Sequence, residues 1–316
     1  MRKIKDFVLK KTGITELRNK CKKLEEENRK LTKKYAGLLR RTSALEKMMF
    51  IHYKGLNREI ERNPRIIVSL TSFPERIPSL PEVIEHLLVQ TIRPDKVVLW
   101  LSLEQFPNRE QDLTDQLLAL CEDGLEIEWC EGDIKAYKKI LPALKKFPDD
   151  LLVIVDDDII YDLDLIEKLY ETHMEFPDAI IASRVHQICF DHAGKIKPYS
   201  KWKKECNYGK YETKADWFLT GGAGTLIPPH SFDEEIFNIE VIKEKCPLAD
   251  DIWININAAM NHVNIVNIAK NNYLTTIAGT QENCLFEVNK TQNDIQLREV
   301  VLHYKERLQD TVYNNM

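Results

Sequence analysis

Leucine recurs every seven residues through the first part of the chain, and a second column of residues follows the leucines by four positions. With the leucines as heptad d positions and the second column as a positions, this spacing is typical of a coiled coil. The d column is Leu17, Leu24, Leu31, Leu38 and Leu45, and the a column is Ile14, Cys21, Asn28, Tyr35, Thr42 and Met49.

Asn28 indicates the oligomeric state of this segment. A buried asparagine at an a position fixes the register and favours a parallel pair of helices. The alternative is a single helix packed on the chain's own body, but its remaining faces are mostly Lys, Arg and Glu and offer little to bury. We therefore expect residues 14–62 to form a coiled coil that makes the protein a homodimer.

Charge is distributed unevenly between the two parts of the chain. Residues 1–62 carry 19 Lys and Arg against 8 Asp and Glu, whereas residues 63–316 carry 26 against 42. An acidic body disfavours nucleic acid as a partner. Residues 1–13 form a basic tail in which Ile4, Phe7, Val8 and Leu9 lie among lysines, so this tail is either a solvated end or a short helix contacting a membrane surface.

The composition also predicts a location. No apolar run approaches the roughly 18–20 residues of a membrane span, and residues 1–13 are too charged for a secretory signal. The seven cysteines are scattered and contain no C-x-x-C pair, as expected for reduced thiols. We expect a cytoplasmic protein, peripheral at the inner face of the cell membrane if the tail binds lipid.

Beyond Asn63-Pro64 the pattern changes to apolar runs that alternate with helix-like segments. Such alternation predicts an α/β domain over residues 63–316, with a mostly parallel sheet and helices on both faces. The predicted strands are 65–70, 96–101, 125–130 and 151–155, and the predicted helices are 80–90, 111–123 and 135–147.

An acidic run follows the last of these strands directly. Leu151–Val155 is wholly apolar and leads into Asp156, Asp157 and Asp158. Ligands bind at the carboxyl ends of parallel strands, and several carboxylates there suit Mg²⁺ or Mn²⁺ holding a diphosphate. A helix N-cap with a solvated turn is the alternative interpretation.

Two later motifs complete the candidate chemistry. Gly221-Gly222-Ala223-Gly224 forms a loop in which glycine lets the backbone approach a ligand, although a purely structural turn fits the same letters. Asp250 and Asp251 open a helix-like segment, where a carboxylate can act as a general base or simply favour the helix dipole.

Five segments in order resemble the bacterial GT-A glycosyltransferases, of the family-2-like kind that build capsular and other cell-surface polysaccharides. The segments are RIIVSLTSFPERI at 65–77, LLVQTIRPDKVVLWLS at 87–102, YKKILPALKKFPDDLLVIVDDDIIY at 137–161, GGAGTLIPP at 221–229 and PLADDIWIN at 247–255. The resemblance covers about residues 65–304. It implies a Rossmann-like mixed sheet and a metal-dependent, inverting transfer of a hexose from a UDP-sugar to a saccharide or lipid-linked saccharide.

The resemblance also implies roles for individual residues. The Mn²⁺ or Mg²⁺ ion would bind Asp156 and Asp158, with Asp156 also near the ribose and Asp157 supporting. Asp251 would be the general base, with Asp250 orienting the acceptor. The donor would contact Thr71, Ser72, Phe73, Arg76, Lys138, Lys139, Asp156, Asp157, Gly221 and Gly222, with one of the two lysines facing the diphosphate and the other solvated.

Some positions are weaker candidates for the same site. A third metal ligand could come from His186, His230 or His303, although a lone histidine is more often structural. Arg184 and His186 are candidates for contacting donor or acceptor. Trp217 is either a stacking platform for a sugar ring or part of the core.

Two other functions compete with glycosyl transfer. The letters VIVDDDI also resemble the nucleophile motif of haloacid dehalogenase-type phosphatases, with Asp250 and Asp251 as the later acidic pair. That motif normally opens its domain, whereas here about 90 residues of strand and helix precede it. The second alternative is a non-catalytic scaffold, in which the coiled coil is the functional part and the body is a degenerate transferase.

Overall fold

The computed structural model describes residues 20, 23, 54–206, 212–268, 275–277 and 285–316. The chain divides into two compact units, Met1–Tyr53 and Lys54–Met316. The basic tail and both heptad columns lie outside the described residues. Of residues 1–53 only Lys20 and Lys23 are described, and both are helical and exposed.

The sequence interpretation extended the coiled coil to residue 62, but the chain is not helical over residues 54–62. These residues belong to the α/β unit and are hydrogen-bonded to it. The Gly55 amide donates to the Leu88 carbonyl at 2.9 Å, and Arg62 pairs with Asp95 at 3.0 Å. Gly55 has a φ of 131°, a conformation that other residues rarely adopt, which is consistent with a break before this point.

The elements of the second unit alternate between strand and helix through its first half. The described α-helices are α1 (Leu80–Leu88), α2 (Asp115–Ala119), α3 (Leu141–Lys146), α4 (Leu165–Glu175), α5 (Ile239–Lys245), α6 (Asp250–Met260) and α7 (Leu285–His303). The described strands are β1 (Ile66–Thr71), β2 (Lys96–Ser102), β3 (Leu125–Cys130), β4 (Leu151–Ile154), β5 (Ile159–Ile160), β6 (Ile180–Ala182), β7 (Val185–Gln187), β8 (Lys203–Cys206), β9 (Glu212–Thr213), β10 (Trp217–Leu219), β11 (Thr225–Ile227), β12 (Ile265–Asn267) and β13 (Thr275–Thr276).

The main sheet has the order β3-β2-β1-β4-β11-β6-β12-β9. β1 to β4 are parallel, whereas β11 runs antiparallel to both β4 and β6. β10, β7 and β8 form a separate antiparallel sheet, and β5 pairs with β13. The fold is therefore a mixed, Rossmann-like α/β fold, and the predicted mostly parallel sheet is confirmed.

Apolar residues on both faces of the main sheet explain why its strands read as uninterrupted apolar runs. Ile67 and Leu152 pack on one face, and Ile66, Val68 and Val153 pack on the other. Parallel strands covered on both faces lose the alternation of apolar and polar residues. Because β1 and β4 are adjacent and parallel, the residues that follow them meet at one edge of the sheet.

Two predicted helices differ from those in the structure. The segment predicted at 111–123 is α-helical only over Asp115–Ala119, where Thr114 caps the helix by accepting from the Leu117 amide. The segment predicted at 135–147 is a 3₁₀ turn over Lys135–Lys139 followed by α3, which carries a proline in its first turn. Among the described residues, no helix is long and apolar enough to cross a membrane.

Candidate active site

Asp156 follows β4 and packs against the glycine loop. Its backbone amide donates to the Tyr161 hydroxyl at 2.7 Å, and that hydroxyl in turn donates to the Gly222 carbonyl. A Cβ placed on Gly222 would lie 1.6 Å from Asp156 Oδ2, well inside contact distance. Residue 222 must therefore be glycine for the Asp156 carboxylate to occupy this position.

Gly221 brings the loop to the second acidic motif. Its amide donates to Asp251 Oδ1 at 2.7 Å, and a Cβ at this position would lie 3.3 Å from the same oxygen and 2.9 Å from Ile154 Cδ1. Two adjacent glycines thus accommodate one carboxylate each, whereas the sequence predicted a close approach of this backbone to a ligand. The carboxylates concerned belong to the protein itself.

Lys139 links the two acidic motifs. Its Nζ lies 2.6 Å from Asp156 Oδ1 and 2.9 Å from Asp250 Oδ2, and its side chain is only 3% exposed. Burial opposes the charge on Lys139, but Asp156, Asp250 and Asp251 outweigh that effect and hold the pKa of the ammonium well above its usual value. The carboxylates at the ends of β4 and at the start of α6 therefore surround one permanently charged ammonium.

Asp157 points into the protein and supports the loop that follows β1. It accepts from the Ser72 hydroxyl at 2.5 Å and lies 3.3 Å from Arg76 Nη1. Arg76 is buried and also lies 3.0 Å from Asp158. Burial raises the pKa of Asp157 to about 6, although the Ser72 hydrogen bond and the Arg76 charge both act to lower it.

Asp251 combines a raised pKa with a fixed position. Burial, together with the adjacent charge of Asp250, raises the pKa of Asp251 to about 7. Lys139 and the Gly221 amide limit that rise. A carboxylate with a pKa near neutrality is suited to accept a proton at physiological pH.

Asn255 is a site residue that the sequence interpretation missed. Its side chain is buried and bonds both the amide and the carbonyl of Leu219 at 2.9 Å, and it donates to the Asp251 carbonyl at 2.7 Å. These bonds fix α6 against β10, two residues before Gly221. The available signal was spacing, since Asn255 lies four residues after Asp251 and so on the same helix face.

Tyr137 and Gln296 were missed as well, and both hold the segment before α6. Tyr137 donates its hydroxyl to the Cys246 carbonyl, and Gln296 accepts from the Leu248 amide at 2.9 Å. The segment that leads into Asp250 is thereby held from two sides. No local pattern in the sequence identifies either contact.

Most of the residues predicted to bind the donor lie at this edge of the sheet, but their side chains contact other residues of the protein. Thr71 donates its hydroxyl to the Trp100 carbonyl at 2.8 Å, and Phe73 lies under the Arg76 guanidinium at 5.5 Å. Both lysines are buried, so the expectation that one is solvated is wrong. Lys138 pairs with Asp133 and lies 3.2 Å from Gln105.

The histidine candidates do not join the acidic residues. His230 is exposed and pairs with Asp149 at 3.0 Å, and His303 is exposed beside Tyr304. His186 is buried, and its Nδ1 accepts from the Glu205 amide at 3.1 Å. Trp217 is 2% exposed and belongs to the core, so it is not a platform for a sugar ring.

The carboxylates suit a metal site that is completed by water and substrate better than a site built from protein ligands alone. Among the described residues, no group of three or more His, Cys, Asp or Glu side chains is arranged to hold an ion by itself. Mg²⁺ commonly takes one or two protein carboxylates and completes its shell with water and substrate phosphates. Asp156, with 39% of its side chain exposed, and the neighbouring Asp158 fit that pattern.

The same contacts do not favour the phosphatase alternative. That motif normally opens its domain, whereas here β1, β2 and β3 precede β4 along the chain. Asp156 is also paired with Lys139 and packed on Gly222. This arrangement suits binding and positioning more than attack on a phosphate.

Comparisons with known proteins give distant likenesses. No protein-family model matches the chain, and no curated protein matches it. Among solved structures, it is similar to S. aureus TarS 1–349 in complex with UDP, with a TM-score of 0.42 and 14% identity, over 77% of this chain and 69% of that one. It is also similar to HddC from Yersinia pseudotuberculosis, with a TM-score of 0.33 and 13% identity, over 53% of this chain and 78% of that one.

Proposed function

We propose that this chain is a GT-A type glycosyltransferase that moves a hexose from a UDP-sugar to a saccharide or lipid-linked saccharide acceptor. The observation that carries the proposal is the position of Lys139, which contacts Asp156 at 2.6 Å and Asp250 at 2.9 Å. A donor-binding motif and a base motif that act on one sugar must lie close together. The Lys139 ammonium contacts one aspartate from each of the two acidic motifs and so supports this assignment.

The donor binds at the carboxyl ends of β1 and β4 in this proposal. Asp156 and Asp158 would hold Mn²⁺ or Mg²⁺, which neutralises charge on the diphosphate leaving group when it is bound. The buried Arg76 holds Asp157 and Asp158 in place, because its guanidinium pairs with both carboxylates. Lys139 adds a fixed positive charge beside Asp156.

The base is Asp251. It takes the proton of the acceptor hydroxyl while that oxygen forms a bond to the anomeric carbon and the bond to the diphosphate breaks. A single displacement of this kind inverts the anomeric configuration. The Gly221 amide at 2.7 Å and the Asn255 contacts hold the carboxylate in one orientation, so the base is positioned before the acceptor arrives.

The remaining features are proposals from the sequence. The heptads of residues 14–62 would make a homodimer, although the helix must end before residue 54. The basic tail of residues 1–13 would place a cytoplasmic enzyme peripherally at the membrane, where acceptors for capsule and other cell-surface polysaccharides are built.

Thermal melting with a panel of nucleotides tests the donor assignment. We expect UDP to raise the melting temperature of the full chain only when Mn²⁺ or Mg²⁺ is present, and Asp158→Ala to abolish that rise. Failure of every nucleoside diphosphate to stabilise the wild type would contradict the proposal. Stabilisation by a different nucleotide would replace UDP as the donor and leave the reaction class in place.

A further inference from the structure

A basic segment lies within the acidic α/β unit. Residues 195–204 contain five lysines and no aspartate or glutamate, whereas residues 63–316 as a whole carry 42 acidic against 26 basic residues. The transfer reaction proposed above uses none of these lysines. Their local excess of positive charge calls for a physical reason.

Arg184 is anchored one residue before the backbone amide that holds the candidate base. Its Nε donates to Thr220 Oγ1 at 2.6 Å, and Thr220 immediately precedes Gly221, whose amide holds Asp251. Its Nη1 is 4.0 Å from Glu205, a side chain that is 71% exposed, so this ion pair is loose. The guanidinium is therefore fixed on Thr220, and among the described residues its carboxylate partner, Glu205, is loosely paired.

Lys204 is a second cation in this region, and it packs on aromatic rings. Its Nζ lies 3.0 Å from the ring centroid of Tyr199 and 5.7 Å from that of Trp202. Within the described part of the chain, no carboxylate is paired with this ammonium, although Asp294 attracts it from further away. Desolvation lowers the pKa of Lys204 to about 8, so the ammonium is partly removed from water and still largely charged at neutral pH.

Two aromatic side chains connect these cations to the base. Burial, together with the charges of Lys204 and Arg184, lowers the pKa of His186 to about 3, which keeps this ring neutral. Burial raises the pKa of Tyr199, and the charge of Asp251 raises it too, while Arg184 opposes the rise. The His186 and Tyr199 rings are neighbours, with centroids 6.0 Å apart, and the charges of Arg184, Lys204 and Asp251 all act on this pair of rings.

The carboxylates of the site make these cations useful. An acceptor that carries a negative charge is repelled by the five aspartates at 156–158, 250 and 251 as its hydroxyl approaches the base. Arg184, bound to Thr220, and Lys204, packed on Tyr199, offset that repulsion and supply donors for a charge-assisted hydrogen bond. A neutral sugar gains little from a pair of cations that are already partly desolvated.

We propose that Arg184 and Lys204 form an acceptor subsite that binds an anionic group, phosphate or carboxylate, on the saccharide acceptor. The inference rests on the proposed glycosyl transfer and names the class of acceptor. Arg184, with its fixed position next to Thr220, orients the group, and Lys204, packed on the Tyr199 ring, adds a second charge.

Binding of simple sugars to the full chain tests the subsite. The probes are glucose 6-phosphate, glucuronic acid and glucose, titrated in the presence of UDP and Mn²⁺ and followed by ligand-observed NMR. We expect at least one anionic sugar to bind about tenfold more tightly than glucose. The stronger of the two anionic sugars identifies the group as phosphate or carboxylate.

The variants assign the preference to particular residues. Lys204→Gln and Arg184→Gln should each remove most of the preference, and Lys203→Gln, an exposed neighbour, should keep it. Lys204 is on the surface, so its replacement is not expected to impair folding even if that of Arg184 does. Equal binding of the three sugars, or an undiminished preference in Lys204→Gln, would overturn the subsite.

The same samples separate this inference from the function on which it rests. UDP binding is measured alongside the sugar titrations. If UDP binds and no anionic sugar is preferred, the acceptor subsite is wrong and the transferase proposal stands. If an anionic sugar is preferred but no nucleotide binds, the subsite stands as an anion site and the transferase proposal falls.

Discussion

The carboxylate of Asp251 accepts a hydrogen bond from the backbone amide of Gly221 at 2.7 Å. This contact joins the first turn of α6 to the loop after β10, and Asn255 reinforces it from the same helix. A carboxylate that only stabilised the helix dipole would not require a hydrogen bond from the Gly221 amide. The contact holds the Asp251 carboxylate in one orientation relative to the glycine loop.

Asp251→Asn should separate catalysis from binding. Asparagine keeps an oxygen for the Gly221 amide but cannot accept the acceptor's proton. We expect the rate of sugar transfer to fall by about 10²–10⁴-fold, while the affinity for UDP with Mn²⁺ stays within about twofold. Initial rates and UDP titration on the same preparation check this, and Asp233→Asn, on an exposed ion pair, should change neither.

The pH dependence of transfer should report the pKa of Asp251. Since burial and Asp250 raise that pKa to about 7, the base is protonated and inactive below pH 6 and ionised above pH 8. We expect kcat/KM to rise with pH through about 7. A rate that is flat between pH 5 and pH 8 would remove Asp251 as the base.

The same shift has a consequence for stability. The folded state binds the Asp251 proton more tightly than the unfolded chain, so unfolding free energy is lost as pH rises from about 4 to about 7. Asp251→Asn should therefore melt higher than the wild type at pH 8, with the difference vanishing near pH 4. Calorimetry at the two pH values measures this difference in melting temperature. Equal melting temperatures at pH 8 would show that the ionised Asp251 carboxylate does not destabilise the folded state.

Gly222→Ala should disrupt the donor motif. Its Cβ would fall 1.6 Å from Asp156 Oδ2, so either the carboxylate or the loop must move. We expect a loss of about 1–3 kcal/mol in stability and at least a tenfold loss in affinity for UDP with Mn²⁺. The control is Gly194→Ala, which has open space around the new methyl and a φ of 79°, and should lose stability without losing UDP affinity.

Lys139→Met should be strongly destabilising, because it leaves Asp156 and Asp250 without their shared counter-ion. Removing one partner of a buried ion pair costs about 3–5 kcal/mol. Arg307→Met breaks an ion pair with Asp233 in which both side chains are more than a third exposed, and should cost about 0–1 kcal/mol. Urea unfolding of both variants compares the costs, and a similar small loss in each would show that Lys139 does not hold the motifs together.

Strands β1 to β4 could be predicted because buried parallel strands leave continuous apolar runs in the sequence. The acidic run after β4 could be placed at the sheet edge for the same reason. Helix ends were less predictable. α2 begins only after its Thr114 cap, and the helix predicted at 135–147 is a 3₁₀ turn followed by α3, which carries Pro142 in its first turn.

The internal contacts of the site could not be predicted, because they join residues that are far apart in sequence. Nothing local distinguishes Lys139, which contacts two acidic motifs, from Lys138, which pairs with Asp133. In the sequence Asn255 is an ordinary polar residue of a helix, and only the structure shows its hydrogen bond with Leu219. The lone histidines carried no spacing that would indicate a ligand, and the structure places none with the carboxylates of the described site.

Release of UDP from a panel of UDP-hexoses tests the central claim most directly. With Mn²⁺, wild-type protein should release UDP from one of these donors, faster when a saccharide acceptor is added, and Asp251→Asn should bind the same donor without this acceleration. Binding of UDP-sugars with no release under any acceptor, or equal release by wild type and Asp251→Asn, would contradict a transferase whose base is Asp251.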